Sequence, residues 1–281
     1  MSSEYSIRLR DVSKTYPVYK HPTDRLKQLL FSWRDQAYFK AYPALRGVSL
    51  DVKRGHTVGI IGRNGAGKST LLHTLAGLRH ADDGIVRIEG RGLVDTPPRD
   101  LAKLRGILPQ RQLDPFASTV LETVLVGRHP HLGRWDWETT EDRRIALAAL
   151  EQVGLKDFAQ RDVLTLSGGE RQRLAIAQLL AQQPPLMLLD EPLTHLDLNH
   201  QVAVMDLMQQ QAKAGAAVVS VLHDPGFAAR YCDHALLLFG DGLWLAGATA
   251  EVLTALNLSC LYGHTLHELT DAGGQRWFVP A

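Results

Sequence analysis

The chain has 281 residues, enough for one large domain or for two lobes that share a core. Its 31 basic and 30 acidic side chains nearly cancel, and the net charge of +1 gives no general reason to expect a nucleic-acid partner. Two cysteines are too few for a disulfide framework, and no secretion signal is evident. Because the longest apolar stretches have only the length of a strand, we expect a cytosolic chain that does not cross a membrane.

Strand and helix signals alternate from the N-terminus. Apolar or alternating segments at 7–16, 47–52, 57–61 and 85–88 predict strands, because charged or Gly-containing turns bound each of them. A Gly-rich turn follows the third strand and leads into 69–78, where leucines recur at helical spacing. The order strand, loop, helix is therefore predicted early in the chain.

The second half resumes this alternation after a different middle. Residues from about 98 to 164 look helical, whereas 186–189 and 217–222 are typical of buried strands, with a helix at 198–214 between them. Short apolar strands separated by helices predict a mainly parallel sheet covered on both faces. The helical middle is then a second lobe inserted into that core.

One segment, 17–43, interrupts the rhythm. Its apolar residues fall at i, i+3, i+4, i+7 and i+11, which places them on one face of a helix that Thr23 or Asp24 can cap. These residues are Leu26, Leu29, Leu30, Trp33 and Ala37. The favoured interpretation is a surface helix packed on the sheet. The alternative is a helix near the membrane or a membrane partner, because the segment is rich in aromatic and basic residues.

Residues 62–70 have the pattern GxxxxGK[ST] between a predicted strand and a predicted helix. Glycines let the backbone curl so that its N–H groups face phosphate oxygens, and the helix N-terminus adds its dipole. Lys68 is expected to reach the β- and γ-phosphates, and the Ser69 hydroxyl to bind Mg²⁺. The predicted nucleotide-binding residues here are Gly62, Arg63, Asn64, Gly65, Ala66, Gly67, Lys68, Ser69 and Thr70.

Two carboxylates follow the buried strand at 186–189. Asp190 is placed to hold the Mg²⁺ water shell at the sheet edge, and Glu191 faces the opposite way and can take a proton from an attacking water. Acidic strand ends are common, so this pattern gains its force from the phosphate loop. Together they predict hydrolysis of a nucleoside triphosphate.

A second anion site is predicted at 166–170, with the sequence LSGGE. Ser167, Gly168 and Gly169 open a helix predicted at 170–183, so free N–H groups and a hydroxyl lie together. With the phosphate loop, this string resembles the signature of ATP-binding cassette (ABC) ATPases, and the similarity extends from about 7 to 261. The resemblance implies an ATPase that uses ATP and Mg²⁺.

The resemblance also implies an architecture. It is an α/β P-loop fold of ABC type, with a RecA-like, mainly parallel core, an antiparallel β subdomain and an inserted helical lobe. We expect one ATP-binding domain over 1–281, with an amphipathic insert at 17–43, the helical lobe at about 92–165 and a tail at about 257–281. In this family the signature of one copy caps the γ-phosphate held by another, which implies a head-to-tail dimer.

Four further positions match the family in the right order. Tyr16 stands where an aromatic ring lies against adenine, with Tyr19 as a competitor. Gln110 matches the glutamine that contacts Mg²⁺ and the water. Asp197 ends the dimer-contact loop, and His223 matches the histidine on the γ-phosphate. The resemblance thus implies catalytic roles for Glu191, His223, Gln110 and Lys68, and metal roles for Ser69, Gln110 and Asp190.

Among ABC ATPases, a transport motor is expected at the cytoplasmic face of the inner membrane. Its partners would be integral-membrane permease subunits and a substrate-binding protein rather than nucleic acid, and an ATPase acting on nucleic acid or the ribosome is the distant alternative. Residues 58–64 and 17–43 look like polysaccharide exporters. Residues from about 92 onward look like importers of cobalamin, siderophores or haem. Import is favoured because the helical lobe, which meets the permease in this family, lies in the importer-like part.

Overall fold

The computed structural model describes residues 4–30, 38–110, 117–133 and 135–281. Within these ranges the strands form three sheets. Their bounds are β1 (Tyr5–Val18), β2 (Lys40–Lys53), β3 (Thr57–Gly62), β4 (Asp83–Ile88), β5 (Arg91–Gly92), β6 (Arg105–Leu108), β7 (Leu186–Asp190), β8 (Ala217–Val221), β9 (His234–Gly240), β10 (Leu243–Ala248), β11 (Leu266–Thr270) and β12 (Arg276–Pro280).

The described helices divide between the core and an inserted lobe. Their bounds are α1 (Pro22–Leu30), α2 (Lys68–Leu75), α3 (Pro98–Leu104), α4 (Val120–Leu125), α5 (Thr140–Gln152), α6 (Gly168–Gln182), α7 (Leu198–Lys213), α8 (Pro225–Tyr231), α9 (Thr249–Val252) and α10 (Ala255–Tyr262). None of these helices combines the length and apolar character needed to cross a membrane.

The central sheet has the strand order β10-β9-β3-β8-β7-β6 in the described residues, and every neighbouring pair is parallel except β9 with β10. Every residue of β3, β7 and β8 is buried, which explains why these strands are mainly apolar. The predicted α/β fold with a mainly parallel core is confirmed. Because parallel strands end at one edge, the loops after β3, β7 and β8 meet there.

The antiparallel subdomain is a sheet in the order β2-β1-β4-β5. Strands β1 and β2 are longer than the sequence predicted, and their pairing reaches Val18 opposite Lys40. The two ends of the 17–43 insert, residues 17–18 and 40–43, therefore extend this hairpin, and α1 is its described helix. Helical spacing indicated a longer helix, but its expected members Trp33 and Ala37, with Phe31, lie outside the described residues.

The inserted lobe packs α4, α5 and α6 around one apolar cluster. The predicted lobe boundary at about 92 was too early. Strand β6 pairs with β7 in the central sheet, and Leu101 of α3 is buried in the core cluster beside α2. A four-residue strand between helices is too short for its period to be distinguished from a helix, which is why sequence reasoning assigned it to the lobe.

The C-terminal segment is folded rather than a simple tail. Helix α10 leads into the antiparallel hairpin β11–β12, which contacts α8. Leu258 and Leu261 of α10 are buried in the same apolar cluster as Tyr231, and Phe278 of β12 packs against it. We call residues 255–281 the C-terminal unit.

Candidate active site

The phosphate loop lies between β3 and α2 with the geometry its glycines allow. Gly67 has φ of +98°, and a Cβ there would lie 2.5 Å from the Ala44 carbonyl oxygen. Only glycine tolerates both conditions. The Lys68 Nζ donates to the carbonyl oxygens of Gly62 (2.8 Å) and Arg63 (3.1 Å). The ammonium is thereby held against the loop that the sequence predicted to cradle phosphates.

Charge and burial act in opposite directions on Lys68. Burial lowers the pKa of its ammonium, while the carboxylates of Glu191 and Asp190 raise it. A cation that is only 6% exposed and lies beside this glycine-rich loop is a strong attractor for phosphate oxygens.

A cavity of about 330 Å³ opens over this loop. Its volume lies at the lower end of the range typical of small-molecule sites. Its lining residues are Tyr16, Tyr42, Ala44, Asn64, Gly65, Gly67, Lys68, Ser69, Thr70, Gln110 and Glu191. The fold therefore gathers seven of the fourteen predicted nucleotide-binding residues into one cavity, together with the predicted catalytic side chains of Gln110 and Glu191. Gly62, Arg63 and Ala66 belong to the same loop without lining it.

Asp190 ends β7 with its carboxylate buried. Neither carboxylate oxygen makes a hydrogen bond of good geometry to a described residue, although the Ser69 hydroxyl is close enough to favour the ionised form. Burial is the main cause that raises the pKa of Asp190, and the Glu191 charge adds to it. A buried carboxylate without a good partner is costly in a purely structural role, which indicates that a cation belongs beside it.

Glu191 and His223 form the closest pair at the site. His223 Nε2 lies 2.7 Å from Glu191 Oε1, and the glutamate is much less exposed (14%) than the histidine (52%). Glu191 has φ of +54°, a left-handed conformation that costs a non-glycine residue free energy. Because the chain turns there, Asp190 and Glu191 project differently. A second cavity of about 260 Å³ lies beside the pair and is lined by both residues.

Tyr42 is a lining residue that sequence reasoning missed. It lies directly opposite Tyr16 in the β1–β2 pairing, and its hydroxyl donates to the Gly65 carbonyl oxygen at 2.9 Å. Tyr19, the predicted competitor of Tyr16, instead packs edge-on against Phe39 with ring centroids 5.9 Å apart and does not line the cavity. The available signal was the cross-strand position of Tyr42, which required knowing the register.

The predicted second anion site, at 166–170, lies at the N-terminus of α6. Ser167 caps α6: its Oγ accepts from the Glu170 N–H (3.3 Å), and Glu170 accepts from the Ser167 N–H (2.7 Å). This capping box explains why α6 begins at Gly168, two residues before the predicted start. A Cβ at Gly169 would lie 3.0 Å from the His195 carbonyl oxygen, so the loop packs closely there.

Asp197 similarly caps α7. It accepts from the His200 N–H at 2.9 Å, and this bond is the main cause that lowers the pKa of its carboxyl group. Ser167, Gly168, Gly169 and Asp197 do not line the cavity over the phosphate loop in the described chain. Within one copy of the chain, the phosphate loop, Tyr16, Gln110 and Glu191 therefore line one cavity, whereas the signature residues lie outside it.

Comparison with known proteins gives this geometry a context. The sequence profile of the ABC transporter family matches residues 45–194. The hemin import ATP-binding protein HmuV of Streptomyces coelicolor is 42% identical over 220 residues, covering 78% of each chain. The cobalamin import ATP-binding protein BtuD of Halobacterium salinarum is 39% identical over 211 residues, covering 75% of this chain and 52% of its own.

A further relative is uncharacterized. The ABC transporter ATP-binding protein YvrA of Bacillus subtilis is 44% identical over 191 residues, and the match covers 67% of this chain. The chain spans only 43% of the length of that relative.

Two solved structures share the fold. A chain of an ABC transporter described as metal-chelate type, in an inward-facing conformation, has a TM-score of 0.78 at 26% identity and covers 99% of this chain and 98% of its own. The dimeric ATP-binding cassette MJ0796, in a post-hydrolysis state bound to ADP and Pi, has a TM-score of 0.71 at 30% identity, covering 86% of this chain and 98% of its own.

Proposed function

The chain belongs to the ABC transporter family and is one of its ATPases. From this premise we propose that Glu191 is the general base for the hydrolysis of ATP bound over the phosphate loop. The observation that carries the proposal is the Glu191–His223 contact of 2.7 Å at a cavity lined by Lys68 and Glu191. In this arrangement Glu191 takes a proton from the attacking water. His223 orients that carboxylate and reaches the γ-phosphate.

The remaining lining residues receive complementary roles. The N–H groups of the loop and Lys68 hold the β- and γ-phosphates, Tyr16 stacks on the adenine, and Gln110 contacts the water. Tyr42 fixes the phosphate loop on the side where adenine binds, through its hydrogen bond to Gly65. With these assignments, the adenine, the phosphates and the attacking water lie along one cavity.

Mg²⁺ is part of the proposal because the buried Asp190 carboxylate fits it. Both Asp190 oxygens lack a good protein partner, and Ser69 and Gln110 line the cavity. Hard oxygen ligands of this kind are those that Mg²⁺ prefers. Mg²⁺ would neutralise developing charge on the phosphates when bound with ATP.

A second copy of the chain completes the site. Ser167, Gly168, Gly169 and Asp197 lie away from the cavity of their own chain, and Gly168 and Gly169 offer N–H groups at the start of α6. We propose that the copies associate head to tail, so that the signature of one meets the γ-phosphate held by the other. The similarity to a cassette solved as a dimer supports this arrangement.

The transport role follows from the relatives. We propose that the dimer drives integral-membrane permease subunits from the cytoplasmic face, with a substrate-binding protein delivering a metal-chelate cofactor. Hemin and cobalamin import proteins are 42% and 39% identical to this chain. The hemin relative aligns over more of its own length, so haem is placed ahead of cobalamin. ATP binding would close the copies and hydrolysis at Glu191 would reset them.

The test of the chemistry is Glu191→Gln, which keeps the shape of the side chain and removes its basicity. With the full chain assembled with its permease, turnover should fall about 10²–10⁴-fold, the typical contribution of a general base. The variant should still bind ATP and accumulate as an ATP-bound dimer on gel filtration. Glu151→Gln, an exposed carboxylate paired with Lys156, is the matched control. Near-normal turnover of Glu191→Gln would remove Glu191 from the role.

The test of the transport role is separate. ATPase activity is measured in vesicles that hold the complete transporter with its binding protein, with hemin or cobalamin added. Stimulation by either chelate supports the import proposal. Outward movement of a lipid-linked glycan without response to a chelate would favour the exporter alternative.

A further inference from the structure

The C-terminal unit reaches the loop that carries His223. The Tyr262 hydroxyl, at the end of α10, donates to the His223 carbonyl oxygen at 3.3 Å. The Tyr262 ring packs half-buried against the apolar cluster that includes Leu258 and Leu261. Burial raises the pKa of this hydroxyl, and the Asp224 carboxylate adds to the effect. The phenol therefore remains a donor throughout the neutral range.

The same unit contacts the next turn of the chain. Asp224 caps α8 by accepting from the Gly226 N–H at 2.6 Å. A Cβ at Gly226 would lie 3.5 Å from the Trp277 ring, so the indole of β12 lies over the helix start. The C-terminal unit thus bounds the segment from His223 to Gly226 at two points.

The opposite side of this segment is fixed by the central sheet. The Leu222 N–H donates to the Ile60 carbonyl oxygen at 3.0 Å, which anchors the end of β8 on β3. Glu191 follows β7, the other neighbour of β8. The distance between the Glu191 and His223 side chains consequently depends on the path of the backbone at His223 as it leaves the sheet. Tyr262 donates a hydrogen bond to that backbone.

We propose that Tyr262 is a positioning residue, whose hydroxyl holds the His223 main chain so that the imidazole meets Glu191. The C-terminal unit, most of which the sequence analysis assigned to a tail at about 257–281, is then part of the machinery that sets the hydrolysis rate. This inference rests on the roles proposed above for Glu191 and His223. It extends them to a residue 39 positions further along the chain.

The test is a double-mutant cycle in the full chain assembled with its permease. Tyr262→Phe removes the hydroxyl and keeps the ring in its cluster. Loss of one hydrogen bond should lower kcat about three- to tenfold, with the KM for ATP unchanged because Tyr262 does not line the nucleotide cavity. In a His223→Ala background the same substitution should have no further effect, because coupled residues are not additive.

Tyr231→Phe is the matched control, since Tyr231 lies on α8 in the same apolar cluster. It should leave kcat unchanged. An unchanged kcat for Tyr262→Phe would overturn the inference, and so would an equal loss in both backgrounds, which indicates a role independent of His223. If His223→Ala itself turned over like the wild type, the proposed role of His223 would fail instead, so the two failures are distinguishable.

Discussion

Within the helical lobe, the pair Arg128–Asp142 allows a stability prediction with a defined pH dependence. Arg128 Nε lies 2.8 Å from Asp142 Oδ1, and both side chains are less than a tenth exposed. Asp142 also accepts from the Thr139 N–H and hydroxyl in the capping box of α5. Hydrogen bonds from Thr139 and Arg128 together lower the pKa of Asp142 from 3.8 to about 2.

The magnitude follows from this shift. A pKa lowered from 3.8 to about 2 stabilises the fold by at most about 2 to 3 kcal/mol, at about 1.4 kcal/mol for each factor of ten. Because the folded pKa is below the unfolded value, this stabilisation is fully present above pH 3.8 and is lost as the pH falls toward 2. Asp142→Asn also leaves the Arg128 guanidinium buried without its carboxylate. We expect a total loss of about 3 kcal/mol at pH 7.

The assay is urea unfolding of the full chain, followed by circular dichroism at pH 5 to 8. A loss of about 3 kcal/mol should lower the urea midpoint by about 1 M. The loss should be constant over this range, because Asp142 is ionised throughout, and should shrink below pH 3.8. The control is Glu141→Gln, whose exposed pair with Arg144 is screened by solvent, so this change should leave the urea midpoint nearly unaltered. Equal stability of the two variants would refute the reasoning.

Two further predictions concern the nucleotide cavity and the dimer. Tyr42→Phe should weaken ATP binding in calorimetric titration by about three- to tenfold through loss of one hydrogen bond, whereas Tyr19→Phe, outside the cavity, should leave it unchanged; equal affinities would dismiss Tyr42. Mixing a Ser167→Arg chain with a Lys68→Ala chain should restore part of the ATPase activity that each lacks alone, because one composite site stays intact. ATPase by a strict monomer, with a rate linear in concentration, would contradict the shared site.

Sequence alone was sufficient for features that are local in the chain. Each of three motifs is a short continuous stretch of sequence: the phosphate loop, the carboxylates after β7 and the LSGGE string. They are continuous because a helix N-terminus or a strand end presents neighbouring residues to one ligand. The mainly parallel core was equally predictable, since strands buried on both faces need unbroken apolar runs. The short β6 was misassigned because four residues are too few to show the period of a strand.

Only the tertiary structure decided which distant residues meet. The register of β1 and β2 places Tyr42 opposite Tyr16, and the packing of α10 into the apolar cluster that it shares with α8 and β9 brings Tyr262 to the His223 loop. The contact between Glu191 and His223 depends on strand order, because β7 and β8 are neighbours in the sheet. Such contacts arise from how elements pack over many residues, whereas a sequence pattern records only the conformational preferences of adjacent ones.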